Sequence, residues 1–315
     1  MNPVLPDEAT EFAAAATKAF AALGGVDAAR RAEDDPTTRT TEVAPALAAL
    51  GIDDLDPRAD ADSLAAAAAL CEAAGRVALP YPLPSVLLAP GDGRPMAVVP
   101  DGRARVDHGD LFGEWRVVTL DGRCRAAAAT QGDRLATRLG PFVADLTPGD
   151  ELGDAASDRD LHLALTGWQV LGTVDRAVEL AVDHVSTRIQ FGKPISAFQA
   201  VQFQLADCAV AVAGLRELAC YTRWRLGAAP DRALADVLAL RAHALDVARS
   251  VLRTCQQLHG AAGVCDEYDI SVLTRHVQPA LRLPWSAERT VTELAGVIAR
   301  DGFDGLFPHG GAATG

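Results

Sequence analysis

The sequence predicts a mainly α-helical protein with a small β unit. Three observations lead to this prediction: helical apolar spacing near the N-terminus, a proline-rich break followed by short runs with Asp-Gly turns, and long heptad-like stripes after them. We therefore expect an N-terminal helical domain at 1–80, a reduced antiparallel β domain at 81–150 and a C-terminal four-helix bundle at 151–301, followed by a flexible tail at 302–315.

The first segment is rich in alanine and contains signals that begin and end helices. Predicted helices cover Glu8–Leu23, Val43–Leu50 and Ser63–Val77; glycine follows the first two, and Asp62 resembles an N-cap of the third. Prolines at positions 80, 82, 84, 90 and 95 then end the helical pattern, because proline lacks the amide hydrogen that a helix needs.

The next segment has short runs that are typical of strands. The Asp-Gly pairs at 101–102 and 121–122 favour tight hairpin turns. The predicted strands are Met96–Val99, Arg103–Val106, Glu114–Leu120, Arg123–Ala128 and Phe142–Leu146. A unit of about 50 residues is too small for a core of its own, so we expect it to pack on its neighbours.

The remaining segment is helical again. Apolar residues alternate in steps of three and four at positions 198, 201, 205, 208, 212, 215 and 219, and a second stripe occupies 234, 238, 245, 248, 252 and 255. Asp158–Ser186 precedes these helices and Trp285–Ala299 follows them. The pattern predicts a bundle of four or more helices.

Composition and charge exclude several classes of function. The 315 residues contain 29 basic and 42 acidic side chains, and this acidity disfavours binding to nucleic acid or to an anionic membrane. We find neither a signal peptide nor a membrane-spanning run. The six cysteines form no C-x-x-C pair and the histidines have no metal-ligand spacing, so we expect a cytoplasmic protein with reduced thiols and no metal.

Two segments have distinctive sequences. Residues 188–202 read R-I-Q-F-G-K-P-I-S-A-F-Q-A-V-Q between the first two bundle helices, and residues 257–263 read Q-L-H-G-A-A-G after the third. Together with the three-part layout, these segments resemble the acyl-CoA dehydrogenase family of flavoproteins. Family members oxidise an acyl-CoA thioester: a carboxylate removes the α-proton while the β-hydride passes to FAD.

The resemblance implies a set of FAD-binding residues. Arg188 would contact the pyrophosphate of an FAD held by a neighbouring subunit, which suits the fork of a guanidinium. By the same resemblance, Gln190 and Phe191 contact the FAD, Gln199 lies at the adenosine site, and Gln257 and Gly260 approach the dinucleotide. The alternative interpretation is structural, with Arg188 a solvated cation, Phe191 packed under its loop, Gln257 a surface residue and Gly260 a helix cap.

The catalytic carboxylate of the family is missing at its expected positions. The two positions at which family members have their glutamate correspond here to His162 and Pro284. A second alignment, anchored on the last helix, places Glu288 over that glutamate and makes Glu288 the candidate base. Glu288 also suits the N-terminal end of a helix for purely structural reasons.

Three hypotheses follow from the resemblance. In the first, which we favour, the chain is a subunit of a heteromeric dehydrogenase and a longer paralogue brings the base. Its substrate would be an acyl-CoA, such as a CoA thioester of a steroid side chain, and an electron-transfer flavoprotein would be the acceptor. In the second, the chain is a self-sufficient homomer that uses Glu288. In the third, it is a scaffold that binds no flavin.

Overall fold

A computed structural model describes residues 5–89, 91, 93–129 and 140–302 of the chain. Within these ranges a group of helices, a five-stranded sheet and a group of long helices follow one another. This is the mainly α architecture with a small β unit that the sequence predicts. The expected flexible tail lies outside the described residues from position 303 onward.

Among the described residues, five α-helices precede the sheet: α1 (Asp7–Ala22), α2 (Asp27–Asp34), α3 (Ala44–Ala49), α4 (Ala61–Arg76) and α5 (Leu83–Val86). Helix α4 begins earlier than expected because its N-cap is Asp60, whose Oδ1 accepts the Ser63 amide hydrogen at 2.7 Å. Helix α2 was not predicted. It buries only alanines, so it has no stripe of large apolar residues to reveal it.

Strands β1 (Met96–Val98), β2 (Ala104–Val106), β3 (Glu114–Val118), β4 (Arg123–Ala129) and β5 (Ala144–Asp154) form one sheet in the order β1-β3-β4-β5-β2. The pairs are antiparallel as expected, except that β1 runs parallel to β3. The Asp101-Gly102 turn therefore does not join two paired strands: β2 leaves β1 and pairs with β5 instead. A prediction based on turns assigns neighbouring strands to each other and cannot detect such an exchange.

Three long helices form the centre of the bundle: α6 (Ala156–Thr187), α7 (Gln199–Ala228) and α8 (Leu234–His259). A two-stranded hairpin, β6 (Ile189–Gln190) and β7 (Lys193–Pro194), connects the first two. Short helices α9 (Asp269–His276) and α10 (Gln278–Arg282) lead to α11 (Ala287–Asp301), which packs against α8. The stripe of α7 faces inward as predicted, with Cys208, Val212, Leu215 and Ala219 buried.

The backbones of helices α4 and α6 are in close contact where the two helices cross. A Cβ atom at Gly75 would lie 1.9 Å from the carbonyl oxygen of Gln169, and one at Gly172 would lie 1.9 Å from that of Glu72. Thr173 Oγ1 also donates a hydrogen bond to the Gly75 carbonyl oxygen at 3.0 Å. The two glycines thus fix the N-terminal helices onto the first bundle helix.

One hydrophobic cluster lies on one face of the sheet and joins the helices that precede the sheet in the sequence to those that follow it. It contains Phe20 and Leu70 from the N-terminal helices and Trp168, Leu215 and Val251 from the bundle. A smaller cluster on the other side of the sheet surrounds Trp115. The boundary expected near residue 80 is therefore a change in sequence pattern within a shared core.

No helix in the described part of the chain is long and apolar enough to cross a membrane. Within the same residues, no group of three or more histidine, cysteine, aspartate or glutamate side chains is placed to hold a metal ion. All six cysteines are free thiols; five of them are buried and Cys265 is exposed.

Candidate functional site

The first distinctive segment forms an exposed hairpin at the end of α6. Arg188 ends this helix, and its side chain makes no hydrogen bond or ion pair with any residue that the structure describes. Gln190 lies in β6 and Gln199 is the first residue of α7; both are exposed. All three side chains are accessible to a ligand from outside the chain.

Phe191 is presented at the tip of this hairpin in an unusual backbone conformation. Phe191 and Gly192 have φ angles of 52° and 77°, as in a tight hairpin turn of type I′. Glycine adopts such angles freely, whereas a bulky residue there costs about 1 kcal/mol or more. The ring is 90% exposed and touches Phe198 edge-on, with 6.1 Å between centroids. Phe191 therefore does not pack under its loop, as one interpretation of the sequence required.

Two stacked histidines bring the two distinctive segments to one end of the bundle. The rings of His184 on α6 and His259 on α8 are 4.4 Å apart and nearly parallel. His259 is buried, and its Nδ1 donates to the Cys255 carbonyl oxygen at 2.7 Å. Burial, together with the charges of His259 and Arg188, lowers the pKa of His184. Arg188 lies next to this pair, because its amide donates to the His184 carbonyl oxygen at 2.9 Å.

The second segment forms a tight turn directly after α8. Gly260 has φ 62° and ψ −136°, a combination that essentially only glycine adopts. A Cβ at Gly263 would lie 2.5 Å from the Gln256 carbonyl oxygen, while Gln256 Nε2 donates to the Gly263 carbonyl oxygen at 3.1 Å. Gln257 and Gly260 are exposed beside this turn. The glycines shape a loop that faces outward, in the same region as Arg188.

A second feature is a small cavity of about 80 Å³ between the sheet and the bundle. His162 and Pro284, the two positions at which the resembled family has its base, both line this cavity. The structure thus brings together two residues that are 122 positions apart in the sequence. It places Glu288 elsewhere: this side chain is exposed in the first turn of α11 and does not line the cavity.

The protonation of His162 is set by its surroundings. Burial and the charge of Arg241 lower the pKa of His162 to about 4, so the imidazole is neutral at pH 7. Its Nε2 lies 3.2 Å from Ser85 Oγ, and its Nδ1 has no hydrogen-bond partner among the described residues. An imidazole with this pKa is a weak base for removing a proton from carbon.

Arg241 is a buried cation in the lining of the same cavity. It is 4% exposed, and its guanidinium donates to the carbonyl oxygens of Leu283 at 2.8 Å and Trp285 at 2.9 Å. Burial lowers the pKa of Arg241 to about 10, so it stays cationic at neutral pH. Arg241 thereby clamps the connection between α10 and α11 around Pro284.

Asp107 is the one carboxylate among the described residues that line the cavity. Its Oδ1 accepts the His108 amide hydrogen at 3.0 Å. Burial raises the pKa of Asp107 to about 7, although a third of its side chain faces open space. No sequence pattern indicates Asp107. Arg241 does leave a signal, because it interrupts the apolar stripe of α8 between Leu238 and Leu245.

The two features differ in their fit to a flavin dinucleotide. Sites for small molecules usually have volumes of about 300–1,000 Å³, so the 80 Å³ cavity is too small for a flavin ring beside a thioester. The exposed end of the bundle offers a cation, side-chain amides, an aromatic ring and a glycine that lets the backbone approach a dinucleotide. These groups belong to Arg188, Gln190, Phe191, Gln199, Gln257 and Gly260. These residue types are chemically suited to contact a dinucleotide.

Comparison with known proteins gives one matching family model. Residues 163–281 match the model of the acyl-CoA dehydrogenase C-terminal domain. Among curated proteins, the acyl-CoA dehydrogenase FadE28 of Mycobacterium tuberculosis is 37% identical over 131 residues, which are 41% of this chain and 37% of FadE28. The chain thus aligns with little more than a third of that relative's length.

Solved structures of low sequence identity share the whole fold. A variant of the Tcur3481–Tcur3483 steroid ACAD has a TM-score of 0.78 at 22% identity, covering 94% of this chain and 99% of that chain. The ChsE4–ChsE5 complex from Mycobacterium tuberculosis has a TM-score of 0.75 at 17% identity, covering 95% and 99%. Both likenesses establish the fold.

Proposed function

Because the chain belongs to the acyl-CoA dehydrogenase family, we propose that it is one subunit of a heteromeric, FAD-dependent acyl-CoA dehydrogenase. In this assembly a longer paralogue holds the flavin and supplies the catalytic base. This chain completes the dinucleotide site across the interface. The observation that carries the proposal is the convergence of both distinctive segments on an exposed end of the bundle, while the chain's own cavity has a volume of only about 80 Å³.

FAD, when bound, supplies the acceptor for the β-hydride of the thioester. Toward that group, Arg188 offers a cation without an internal partner among the described residues. Gln190 and Gln199 offer amide donors and acceptors, and the exposed ring of Phe191 offers an apolar face. Gly260 leaves room for the backbone to approach the dinucleotide.

The residues of this chain that could remove the α-proton are the reason for proposing a partner subunit. His162 is neutral and weakly basic, and Pro284 has no ionisable group. Glu288 lies outside the cavity, so a homomer using Glu288 would need the substrate to bind at a different place. Asp107 does line the cavity, but the volume of about 80 Å³ leaves no room for a thioester beside a flavin ring. We therefore assign the carboxylate that removes the α-proton to the longer paralogue.

Helix α7 offers a surface for that paralogue. Its inward stripe is buried in the bundle, yet its outer face also carries exposed small and apolar residues, namely Phe203, Ala206, Val210, Ala213 and Gly214. A helix that is apolar all round is usually buried on all sides. We assign this outer face to the interface between the subunits.

The substrate and acceptor are part of the same proposal. One structural neighbour is described as a steroid ACAD and another as a two-component complex. We propose a CoA thioester of a steroid side chain as the substrate and an electron-transfer flavoprotein as the acceptor. Flavin reduction by candidate thioesters in the purified complex would identify the acyl group.

The test compares the chain alone with the chain co-expressed with a longer paralogue encoded beside it. Visible absorbance of flavin should appear only in the complex, at less than one flavin per chain. Full flavin occupancy in the lone chain would overturn the proposal in favour of a homomer and make Glu288 the first residue to mutate. A colourless complex would favour the scaffold hypothesis.

Arg188→Ala should weaken FAD retention in the complex by roughly 10–100-fold, because one charge-assisted contact contributes about 1.5–3 kcal/mol. Arg176→Ala is the matched control, since Arg176 lies on the same helix and pairs with Glu179 on the surface. Dialysis followed by the ratio of flavin to protein absorbance measures the effect. Equal flavin loss in both variants would remove Arg188 from the site.

A further inference from the structure

The cavity between the sheet and the bundle contains a buried cation without a carboxylate partner. Arg241 lines the cavity and is 4% exposed. Its Nη1 and Nη2 atoms donate only to carbonyl oxygens, those of Ala280 at 3.3 Å, Leu283 at 2.8 Å and Trp285 at 2.9 Å. Burying a charge is costly unless an opposite charge compensates for the lost hydration. No acidic side chain in the described ranges pairs with Arg241, so its charge is available to an anion.

Two buried polar atoms of the cavity lining have no hydrogen-bond partner among the described residues. These atoms are Nε of Arg241 and Nδ1 of His162. The other nitrogen of the imidazole, Nε2, lies 3.2 Å from Ser85 Oγ. When the serine hydroxyl donates to Nε2, the neutral imidazole carries its hydrogen on Nδ1. The cavity lining then contains two unused N–H donors, and one of them is cationic.

The size and the walls of the cavity limit what can bind there. A buried water needs roughly 10–15 Å³ of such space, so about 80 Å³ accommodates a molecule of about five non-hydrogen atoms. Apolar side chains form much of the wall, among them Pro82, Pro84, Val98, Leu163, Leu283 and Pro284. Dry cavities in proteins are apolar, so a cavity with unpaired donors is expected to hold a polar guest. A small molecule with one charged end and one apolar end suits both parts of the lining.

Besides Arg241, two charged side chains of the described chain line the cavity. Arg105 is already neutralised by Asp145 on β5, with Nε–Oδ1 and Nη2–Oδ2 distances of 2.9 and 3.2 Å. Asp107 would repel an anion if it were ionised, but burial raises the pKa of this carboxyl to about 7, so it is mostly protonated at pH 6. At that pH the lining has one positive charge, on Arg241, that no described side chain neutralises.

We propose that this cavity binds a short-chain carboxylate anion of the size of acetate. The carboxylate oxygens accept hydrogen bonds from Arg241 Nε and His162 Nδ1, and the methyl group packs against the apolar wall. Hydrogen bonds between a guanidinium and a carboxylate are charge-assisted and therefore stronger than those to water. The inference goes beyond the proposed function, because it assigns an occupant to a cavity that is too small for a flavin ring beside a thioester.

The experiment titrates ¹³C-labelled acetate into the purified full-length chain at pH 6 and constant ionic strength, and follows the width of its methyl NMR signal. We expect saturable binding. Acetamide has the same size but no charge, and hexanoate has the charge but is too long for the cavity, so neither should displace acetate. Absence of saturable binding would show that the cavity holds water only and would overturn the inference. Displacement by acetamide or by hexanoate would also overturn it.

A variant of His162 tests the contact itself. H162F removes the Nδ1 donor but keeps a ring of similar shape, and it should bind acetate about tenfold more weakly or worse, because a hydrogen bond to a charged group is lost. H243F is the matched control, since His243 lies on α8 but does not line the cavity, and it should bind acetate like the wild type. Equal affinities of H162F and the wild type would overturn the inference. The comparison of acetate with acetamide needs no variant and stands even where H162F fails to fold.

Discussion

Asp107 illustrates how the fold changes the chemistry of single residues. Its carboxyl has a pKa of about 7 in the folded chain against the ordinary value of 3.8, because burial disfavours the charged form. The unfolded chain therefore releases this proton first as pH rises. The folded state loses stability between about pH 4 and pH 7 and stays less stable above that range.

Asp107→Asn should accordingly stabilise the protein at pH 8, by about 1–2 kcal/mol after allowance for the partly exposed side chain. The gain should vanish at pH 3, where the wild-type carboxyl is protonated in both states. Thermal unfolding at the two pH values measures it, and Asp101→Asn at an exposed turn is the control. A variant that is less stable at pH 8 would show that Asp107 is held as a carboxylate.

Site residues could be predicted from the sequence to different degrees. Arg188 and Gln257 are candidates because they lie in strings long enough to be recognised. Their convergence follows from the up-down-up course of α6, α7 and α8, which places the ends of α6 and α8 together. The small volume of the cavity around His162 and Pro284 could not be predicted, because it depends on how the sheet packs on the bundle.

At the scale of elements, the crossing of α4 and α6 depends on two glycines. Gly172→Ala would force a methyl group into the Glu72 carbonyl oxygen, and overpacking of this kind costs about 1–3 kcal/mol. Gly296→Ala in α11 is the control, because no atom lies within 4 Å of its added Cβ and alanine favours a helix. Differential scanning calorimetry should show a lower melting temperature for the first variant only. Equal melting temperatures would mean that the helices move apart without cost.

The same crossing marks the limit of what periodicity reveals about elements. Heptad stripes predicted the long helices because each buries one continuous face, as the inward residues of α7 do. Gly75 and Gly172 carry no apolar signal, so the close approach of Gly172 to Glu72, 100 positions away, is not visible in a pattern of hydrophobicity. The pairing of β2 with β5 instead of β1 could not be predicted for a similar reason, because the two strands are far apart in the sequence.

At the scale of the whole molecule, ion pairs tie the three groups of elements together. Arg39 forms a two-point ion pair with Asp110, at 2.9 and 2.6 Å, and lies over the ring of Phe142. Glu33 on α2 accepts from Arg275 Nε at 2.8 Å and lies 2.5 Å from His276 Nε2. The helices before the sheet are thereby linked both to the sheet and to α9.

The ion pairs of Glu33 make the stability of the folded chain depend on pH. Burial alone would raise the pKa of Glu33, but the hydrogen bonds and charges of His276 and Arg275 outweigh it and lower the pKa to about 2, against an ordinary value of 4.5. A lowered carboxyl pKa adds stability above pH 4.5, and this stability is lost as pH falls toward 2. Glu33→Gln should therefore lower the melting temperature at pH 7, and the difference from wild type should shrink toward pH 2.

Glu42→Gln is the control for that experiment, because Glu42 forms a surface ion pair with Arg31 that contributes little. Melting curves from pH 7 to pH 2, followed by circular dichroism, give the comparison. A constant difference between the wild type and Glu33→Gln across this range would show that the link between α2 and α9 does not titrate with Glu33.

In the proposed heteromer, the hairpin at the end of α6 also affects how fast the two subunits combine. Its turn is already closed by pairing between β6 and β7, and Phe191 already meets Phe198. No ordering step of this loop has to precede encounter, so association is limited by diffusion and mutual orientation, at roughly 10⁵–10⁷ M⁻¹ s⁻¹. Substitutions at Phe191 or Phe203 should then act on the lifetime of the assembly rather than on its rate of formation.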